Sequence, residues 1–245
     1  MIKKIQLFQK KTTAAVNKNK EKRQARKLEQ RRIADGMALV NSANKLQDIA
    51  SHCKGLLEYR TRDMEVDMYI QRVTELDKDV LDWAINLTEK NMKILYETCA
   101  WGWNRDRKIE EMTEDAAWYV VAKQKNGPPL AFSHFRFDMD FGEPVVYCYE
   151  VQVVPDGRRR GLGLRVLTVL EKLAQATRMR FVRLTVLTHN PAATAFFKAC
   201  GYIIDETSPP KDEAAHYEIL SKEIPTITEN FSVTTEARPE TNICE

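Results

Sequence analysis

Between Val145 and Gly201 the spacing of apolar residues changes its period, and that change restricts the possible folds more than any other feature of the chain. Upstream, Ala117–Lys123, Leu130–Met139 and Val145–Val154 read as three strands joined by the turns Asn126-Gly-Pro-Pro129 and Phe141-Gly-Glu-Pro144, an antiparallel meander. Downstream, Gly161–Arg178 carries Leu162, Val166, Val169, Leu170 and Leu173 at helical spacing. Phe181–Leu187 then reads as a buried strand rich in Val and Leu. Pro191–Cys200 is a helix with Pro in its first turn and Gly201 just past its end. Antiparallel strands followed by a strand–helix–strand crossover require an α+β (α/β) chain, with a mixed, mostly antiparallel central sheet flanked by helices.

The remaining segments fit around that sheet. Ile33–Cys53 is expected as a helix with Met37, Val40, Leu46 and Ile49 inward, Glu65–Val73 as a strand, and Leu76–Cys99 as a long amphipathic helix. A charged helix is expected over Asp106–Glu114, and short strands over Tyr202–Asp205 and Tyr217–Ser221. The net charge of +3 hides an asymmetry. Residues 1–32 hold twelve Lys/Arg against two Glu, a net of +10, while the remainder carries 26 basic and 33 acidic residues, a net of −7. The expected organisation is a basic arm over 1–32, disordered or a solvated helix, then one domain over 33–223 and a loose tail over 224–245. The arm is a solubilising tail, a nuclear-import signal, or a contact for nucleic acid or the ribosome. No apolar run has the ~20 residues of a membrane helix. Five scattered cysteines form neither a disulfide frame nor a zinc motif, which fits reduced thiols in nucleus and cytoplasm.

The chemistry is concentrated at Val153-Val-Pro-Asp-Gly-Arg-Arg-Arg-Gly-Leu-Gly163, between a strand and a helix. Glycines allow a sharp turn and close approach to a ligand, and the first helical amides lack internal partners. With the helix dipole these amides form an anion cradle, to which Arg158, Arg159 and Arg160 add positive charge. The loop has neither the Lys-Ser/Thr of a nucleoside-triphosphate loop nor the dinucleotide spacing. A second motif follows the Leu184–Leu187 strand: Asn190-x-x-Ala193-x-x-Phe196-Phe197-x-x-x-Gly201-Tyr202. In this order and spacing the two motifs resemble the GNAT superfamily of N-acetyltransferases over roughly residues 117–205. The resemblance implies acetyl-CoA as cosubstrate and no metal. It places the pyrophosphate at the amides of Arg159, Arg160, Gly161, Leu162, Gly163 and Leu164 beside Arg158, and the pantetheine along the strand edge at Val151, Gln152 and Val153, with Asn190 facing the cofactor. Leu164 stands where the family often has Lys or Arg.

Segments outside the cofactor half are more particular: Asn91-Met-Lys-Ile-Leu-Tyr96, Trp101-Gly-Trp103, Ala131-Phe-Ser-His-Phe-Arg-Phe-Asp138, Tyr147-Cys-Tyr-Glu-Val-Gln152 and Tyr217-Glu-Ile-Leu220. They resemble the histone N-alpha-acetyltransferase family of the NatD type, extending the likeness to about residues 76–221. That resemblance implies transfer to the N-terminal serine of histone tails beginning Ser-Gly-Arg-Gly. Carboxylates at Asp138 and Asp140 suit such a cationic tail, and Tyr96, Trp101, Tyr147, Tyr149, Thr185 and Tyr217 complete the expected substrate site. Ordinary packing is the alternative for Tyr147, and a turn cap for Asp138. Glu150 is read as general base through a water, with Tyr149 and Tyr217 as the partners that position the amine or carry a proton. By the period of two, Tyr147 and Tyr149 share one face of their strand and Glu150 takes the other, unless a bulge turns them together. Cys148, His134 and His189 are read as structural. A lysine side chain or small amine is the alternative acceptor, and a non-catalytic binding module a third reading.

Overall fold

A sheet needs apolar residues on each face it buries, and β3 (Trp118–Gln124) supplies them on both: Trp118, Val120 and Ala122 face one core, Tyr119 and Val121 the other. In the computed structural model, which describes residues 2–225 except 211 and 214, with side chains from Lys20 onward, β3 lies within an eight-stranded sheet. The strands are β1 (Glu58–Thr61), β2 (Met64–Arg72), β3, β4 (Pro129–Asp140), β5 (Glu143–Val153), β6 (Phe181–Leu187), β7 (Ile203–Ile204) and β8 (Tyr217–Glu223). Their spatial order is β1-β2-β3-β4-β5-β6-β8-β7. All pairings are antiparallel except β5–β6, which the crossover makes parallel. The result is a mixed, mostly antiparallel α+β fold. No described helix is long and apolar enough to cross a membrane.

Five helices cover the sheet: α1 (Ile2–Ala43), α2 (Lys78–Glu97), α3 (Arg105–Thr113), α4 (Leu162–Ala176) and α5 (Pro191–Ala199). On one face α4 buries Leu162, Val166, Val169, Leu170 and Leu173 against Phe135, Val146 and Leu184. Each such side chain contributes roughly 1.5–3 kcal/mol by leaving water. On the other face α2 and α3 set Ala84, Ile85, Leu87 and Met112 against Tyr119 and Phe132. Caps fix where these helices begin: Asp77 accepts the Asp79 amide, Asn104 that of Arg107, and Asn190 that of Ala193.

The basic arm, expected as disordered or as a solvated helix, is helical and continuous with the segment after it in α1, and the side chains of residues 20–32 lie in solvent. Two expectations change. That helix stops at Ala43 rather than near Cys53, and Met37 is exposed. Val40 faces inward as expected, and Gly36 and Ala43 stand there in place of Met37, with Gly36 seated closely against Met139 and Pro144. The short edge strand β1 was not expected. Of the loose tail, residues 226–245 lie outside the described residues.

Candidate active site

The parallel ladder between β5 and β6 joins only Val145–Cys148 to Phe181–Leu184, and beyond it the two strands part. A bulge coincides with the split. His134 pairs with Glu150 but Phe135 pairs with Cys148, so Tyr149 is an extra residue on β5. A bulge of this kind bends its strand and increases local twist. It also resolves the alternation: Tyr147 pairs with Arg136 and Glu150 with His134, two β4 positions of one face. Tyr147, Tyr149 and Glu150 therefore stand together. The Tyr149 ring lies 5.0 Å from both His134 and Tyr147, and His134 lies 5.5 Å from Tyr119.

The parted strands open a cleft of about 1260 Å³. At one end lies the turn between β5 and α4. Arg159 and Gly161 have φ of 59° and 81°, left-handed values that reverse the chain within four residues. A β-carbon at Gly163 would sit 2.9 Å from the Phe196 ring, so glycine there lets α4 approach α5 closely. No side chain caps α4, leaving its first amides without internal partners and the positive end of its dipole on the cleft. Arg158 and Arg159 line the cleft, whereas the Arg160 guanidinium turns away to donate to the Asp63 carbonyl at 2.8 Å. Tyr59 donates its hydroxyl hydrogen to the Arg160 carbonyl, also at 2.8 Å. Leu164 faces the cleft, half exposed, and offers no charge to a phosphate.

Along the cleft runs the free side of β5. The Val154 amide donates to Leu130 of β4 at 2.9 Å. Main-chain groups alternate sides along a strand, so those of Val151 and Val153 point away from β4, into the gap. The Val153 carbonyl accepts there from Arg158 Nε at 3.2 Å. Gln152 points its side chain to the other face, where it donates to Glu150 Oε2 at 2.8 Å.

Glu150 is nearly buried. Its Oε1 accepts from Lys108 Nζ of α3 at 3.1 Å, and Lys108 also donates to Glu111 at 2.7 Å. Burial works to lower the Lys108 pKa, but Glu150, Tyr96 and Glu111 together outweigh it and hold the ammonium well above its ordinary value. Burial pushes Tyr149 and Tyr96 up to about 12, and raises Tyr147 as well, so these phenols keep their protons at neutral pH. The His134 ring is held well below the usual histidine range by burial and by Arg136 and Lys108. The Cys148 thiol is fully buried and pushed up to about 12, which leaves it no thiolate at neutral pH.

The other expected substrate residues are placed unevenly. Tyr147 shares a 2.7 Å hydrogen bond with Thr185 across the mouth of the split. Asp138 lines the cleft with its carboxylate bonded to the amide of Met139 at 2.7 Å. Asp140 also lines it, but its carboxylate is taken by the buried Arg183 at 2.7 Å, which in turn pairs with Asp205. Tyr96 and Trp101 line the cleft with ring centres 6.1 Å apart. Tyr217 is not among the lining residues and stacks behind Trp101 at 5.0 Å. Asn190 lines the cleft while its Oδ1 caps α5. Sequence reading missed Lys108, Glu111 and Asn91. Asn91 links the two ends of the site, donating to Gln152 Oε1 and accepting from Arg158, each at 2.9 Å. Lys108 and Glu111 lie in a helix whose charge reads as solvated, and Asn91 lies in the amphipathic α2, within the segment Asn91–Tyr96, with no role assigned to it.

These features fit a long, phosphate-bearing acyl carrier: an uncapped helix N-terminus, a close approach at Gly163, an open strand edge, and a cleft above the usual ~300–1,000 Å³ of ligand sites. Among the described residues no group of three or more His, Cys, Asp or Glu is arranged to hold a metal ion. The sequence profile of the acetyltransferase (GNAT) family matches residues 81–202. A GNAT-family acetyltransferase from Listeria monocytogenes 4b F2365 superposes with a TM-score of 0.51 at 13% identity, over 68% of this chain and 99% of that one. The ribosomal-protein-S18-alanine N-acetyltransferase of Escherichia coli gives 0.47 at 20% identity, over 66% and 97%. Ard1 from Thermoplasma volcanium gives 0.47 at 15% identity, over 64% and 98%.

Proposed function

The chain belongs to the GNAT acetyltransferase family and uses acetyl-CoA, and from that premise we propose that it acetylates the α-amine of protein N-termini beginning Ser-Gly-Arg-Gly, as in histone four and histone two-A. The observation that carries this reading is the bulge at Tyr149. It puts a buried carboxylate, Glu150, and two protonated tyrosines on the face that looks into a narrow aromatic cleft. Segments that carry several of these residues, Asn91–Tyr96, Trp101–Trp103 and Tyr147–Gln152, resemble the NatD type.

Acetyl-CoA, when bound, supplies a thioester carbonyl open to attack by a neutral amine. The α4 amides and Arg158 bind phosphate, and the main-chain groups of Val151 and Val153 hold the carrier's arm as an added strand would be held. An amide on that edge donates to the carbonyl oxygen. Glu150 accepts the proton of the incoming ammonium through a water. An α-amine, with a pKa of ~8 against ~10.4 for lysine, demands less of that base. The C–S bond breaks as the C–N bond forms, and a proton shed by the amine ends on the departing thiol, to which Tyr149 donates a hydrogen bond. Trp101, Tyr96 and Tyr147 form walls that exclude a bulky first residue, and Asp138 supplies charge for the third-position arginine. Asp140, whose carboxylate belongs to Arg183, shapes the wall rather than binding a cation. Tyr217 acts through Trp101, against which it stacks. The exposed basic helix, with seven Lys/Arg and two Glu over residues 20–32, is assigned to nuclear import or to a ribosomal or nucleic-acid phosphate contact, and the protein to nucleus and cytoplasm.

Mass spectrometry of two peptides with labelled acetyl-CoA tests the acceptor. A free Ser-Gly-Arg-Gly peptide gains one label at its first residue, while an N-blocked, lysine-containing peptide gains none. Labelling of the second peptide alone would transfer the assignment to lysine. Glu150→Gln is expected to lower kcat by ~10²–10⁴ while CoA still binds. Full turnover in that variant would remove Glu150 from the base role.

A further inference from the structure

We propose that Lys108 is a positioning residue for the reaction: its ammonium pairs with the Glu150 carboxylate and, with the Gln152 amide, keeps it aimed at the cleft. This inference rests on the assignment of Glu150 as base. Lys108 lies on α3, outside every motif that carries the family resemblance.

Glu150 occupies a site that disfavours charge. Its side chain is 3% exposed, and a buried carboxylate is costly unless a cation and fixed donors accompany it. Six titratable or charged groups on neighbouring elements face this region. Glu111 of α3 is an anion and opposes ionisation. Tyr96 of α2 and Tyr119 of β3 are phenols raised by burial, hence neutral. His134 of β4 is buried and neutral. Arg136 of β4 is a cation, but it is spent on Glu114 and the Glu111 carbonyl and lies over the Tyr149 ring at 4.4 Å. Lys108 alone among them is a cation in hydrogen-bond contact with Glu150. Its own geometry is fixed by Glu111, three residues on along α3, and by the Tyr96 ring 5.3 Å away. The second carboxylate oxygen is held by Gln152, itself held by Asn91. Both oxygens therefore have one fixed donor each, and each retains acceptor capacity for a water.

The experiment compares kcat/KM against pH for the wild type, Lys108→Met and Lys108→Arg. In Lys108→Met the acidic limb moves to higher pH by at least one unit. Activity below the limb then falls tenfold or more and is regained in alkali. Lys108→Arg returns the limb towards the wild-type position. Lys108→Gln carries the same expectation as Lys108→Met should the methionine variant not fold. A second readout needs no turnover: in ligand-free protein, Lys108→Met lowers the melting temperature, and adding Glu150→Gln restores part of the loss. A limb that stays in place while the rate drops equally at all pH values would overturn the proposal, as would the absence of that restoration. Should Glu150→Gln keep full turnover, the base assignment fails instead, and the melting data still report whether the pair exists.

Discussion

Gly161→Ala tests whether the turn before α4 is held as described. Gly161 has φ of +81°, and a β-carbon there would collide with the hydroxyl of Tyr59, which donates to the adjacent Arg160 carbonyl. Two costs follow. A side-chain-bearing residue in the left-handed region loses roughly 1–2 kcal/mol. The half-exposed Tyr59 can swing aside, but doing so forfeits a hydrogen bond worth about 0.5–1.5 kcal/mol net. The total of ~2–3 kcal/mol should lower the melting temperature of a protein this size by ~5–10 °C. The mechanism makes a sharper claim than the total. In a Tyr59→Phe background the hydroxyl and its bond are already gone, so Gly161→Ala should there cost only the backbone part, ~1–2 kcal/mol. The two substitutions are thus less than additive by about 1 kcal/mol, within the range of residues in contact. Thermal or urea unfolding of the four proteins measures this. CoA titration by calorimetry should show weaker binding in Gly161→Ala, because the amides that follow are displaced. A Gly161→Ala protein melting within a degree of wild type, or strict additivity with Tyr59→Phe, would refute the reasoning.

Asn190→Ala removes the cap of α5 and should cost ~1 kcal/mol in urea unfolding, whereas Asn190→Asp keeps the cap; equal losses in both would show that the capping oxygen is not what matters. His134 is buried neutral, so the unfolded chain takes up a proton near pH ~6.5 that the native state refuses. Stability from this residue is complete above that pH and declines as pH falls below it, by up to ~1.4 kcal/mol per unit. His134→Phe preserves a ring between Tyr119 and Tyr149 and should flatten the decline; parallel profiles for the two proteins would dismiss the idea.

What could be read from the chain follows the range over which each signal acts. Helix α4 and strand β6 are legible because their apolar residues repeat within a few positions and both lie in the core. The same holds for the loop at Arg158–Gly163, where glycine spacing alone dictates a reversal before a helix. Edge strand β1 is not legible, since a strand exposed on its outer side and only four residues long has no alternation to show. Lys108 is hidden for the opposite reason. On a helix as polar as α3 a lysine reads as solvated, and only the opposing carboxylate, 42 positions later in the chain, makes its burial tolerable. Arg183 is a parallel case, buried within a strand by Asp140 at the end of β4 and Asp205 just past β7. The bulge at Tyr149, an open alternative to strict alternation at the level of sequence, is the most consequential point that sequence does not decide. Strict alternation through Tyr147-Cys-Tyr-Glu150 would set the carboxylate on the α4 face among Val166 and Leu170, an apolar surface with no cation among its core residues. One extra residue turns it instead towards α2 and α3, where Lys108 donates to it. The bulge on β5 and the buried Lys108–Glu150 pair therefore join two distant segments, and no local pattern in either one reveals the pairing.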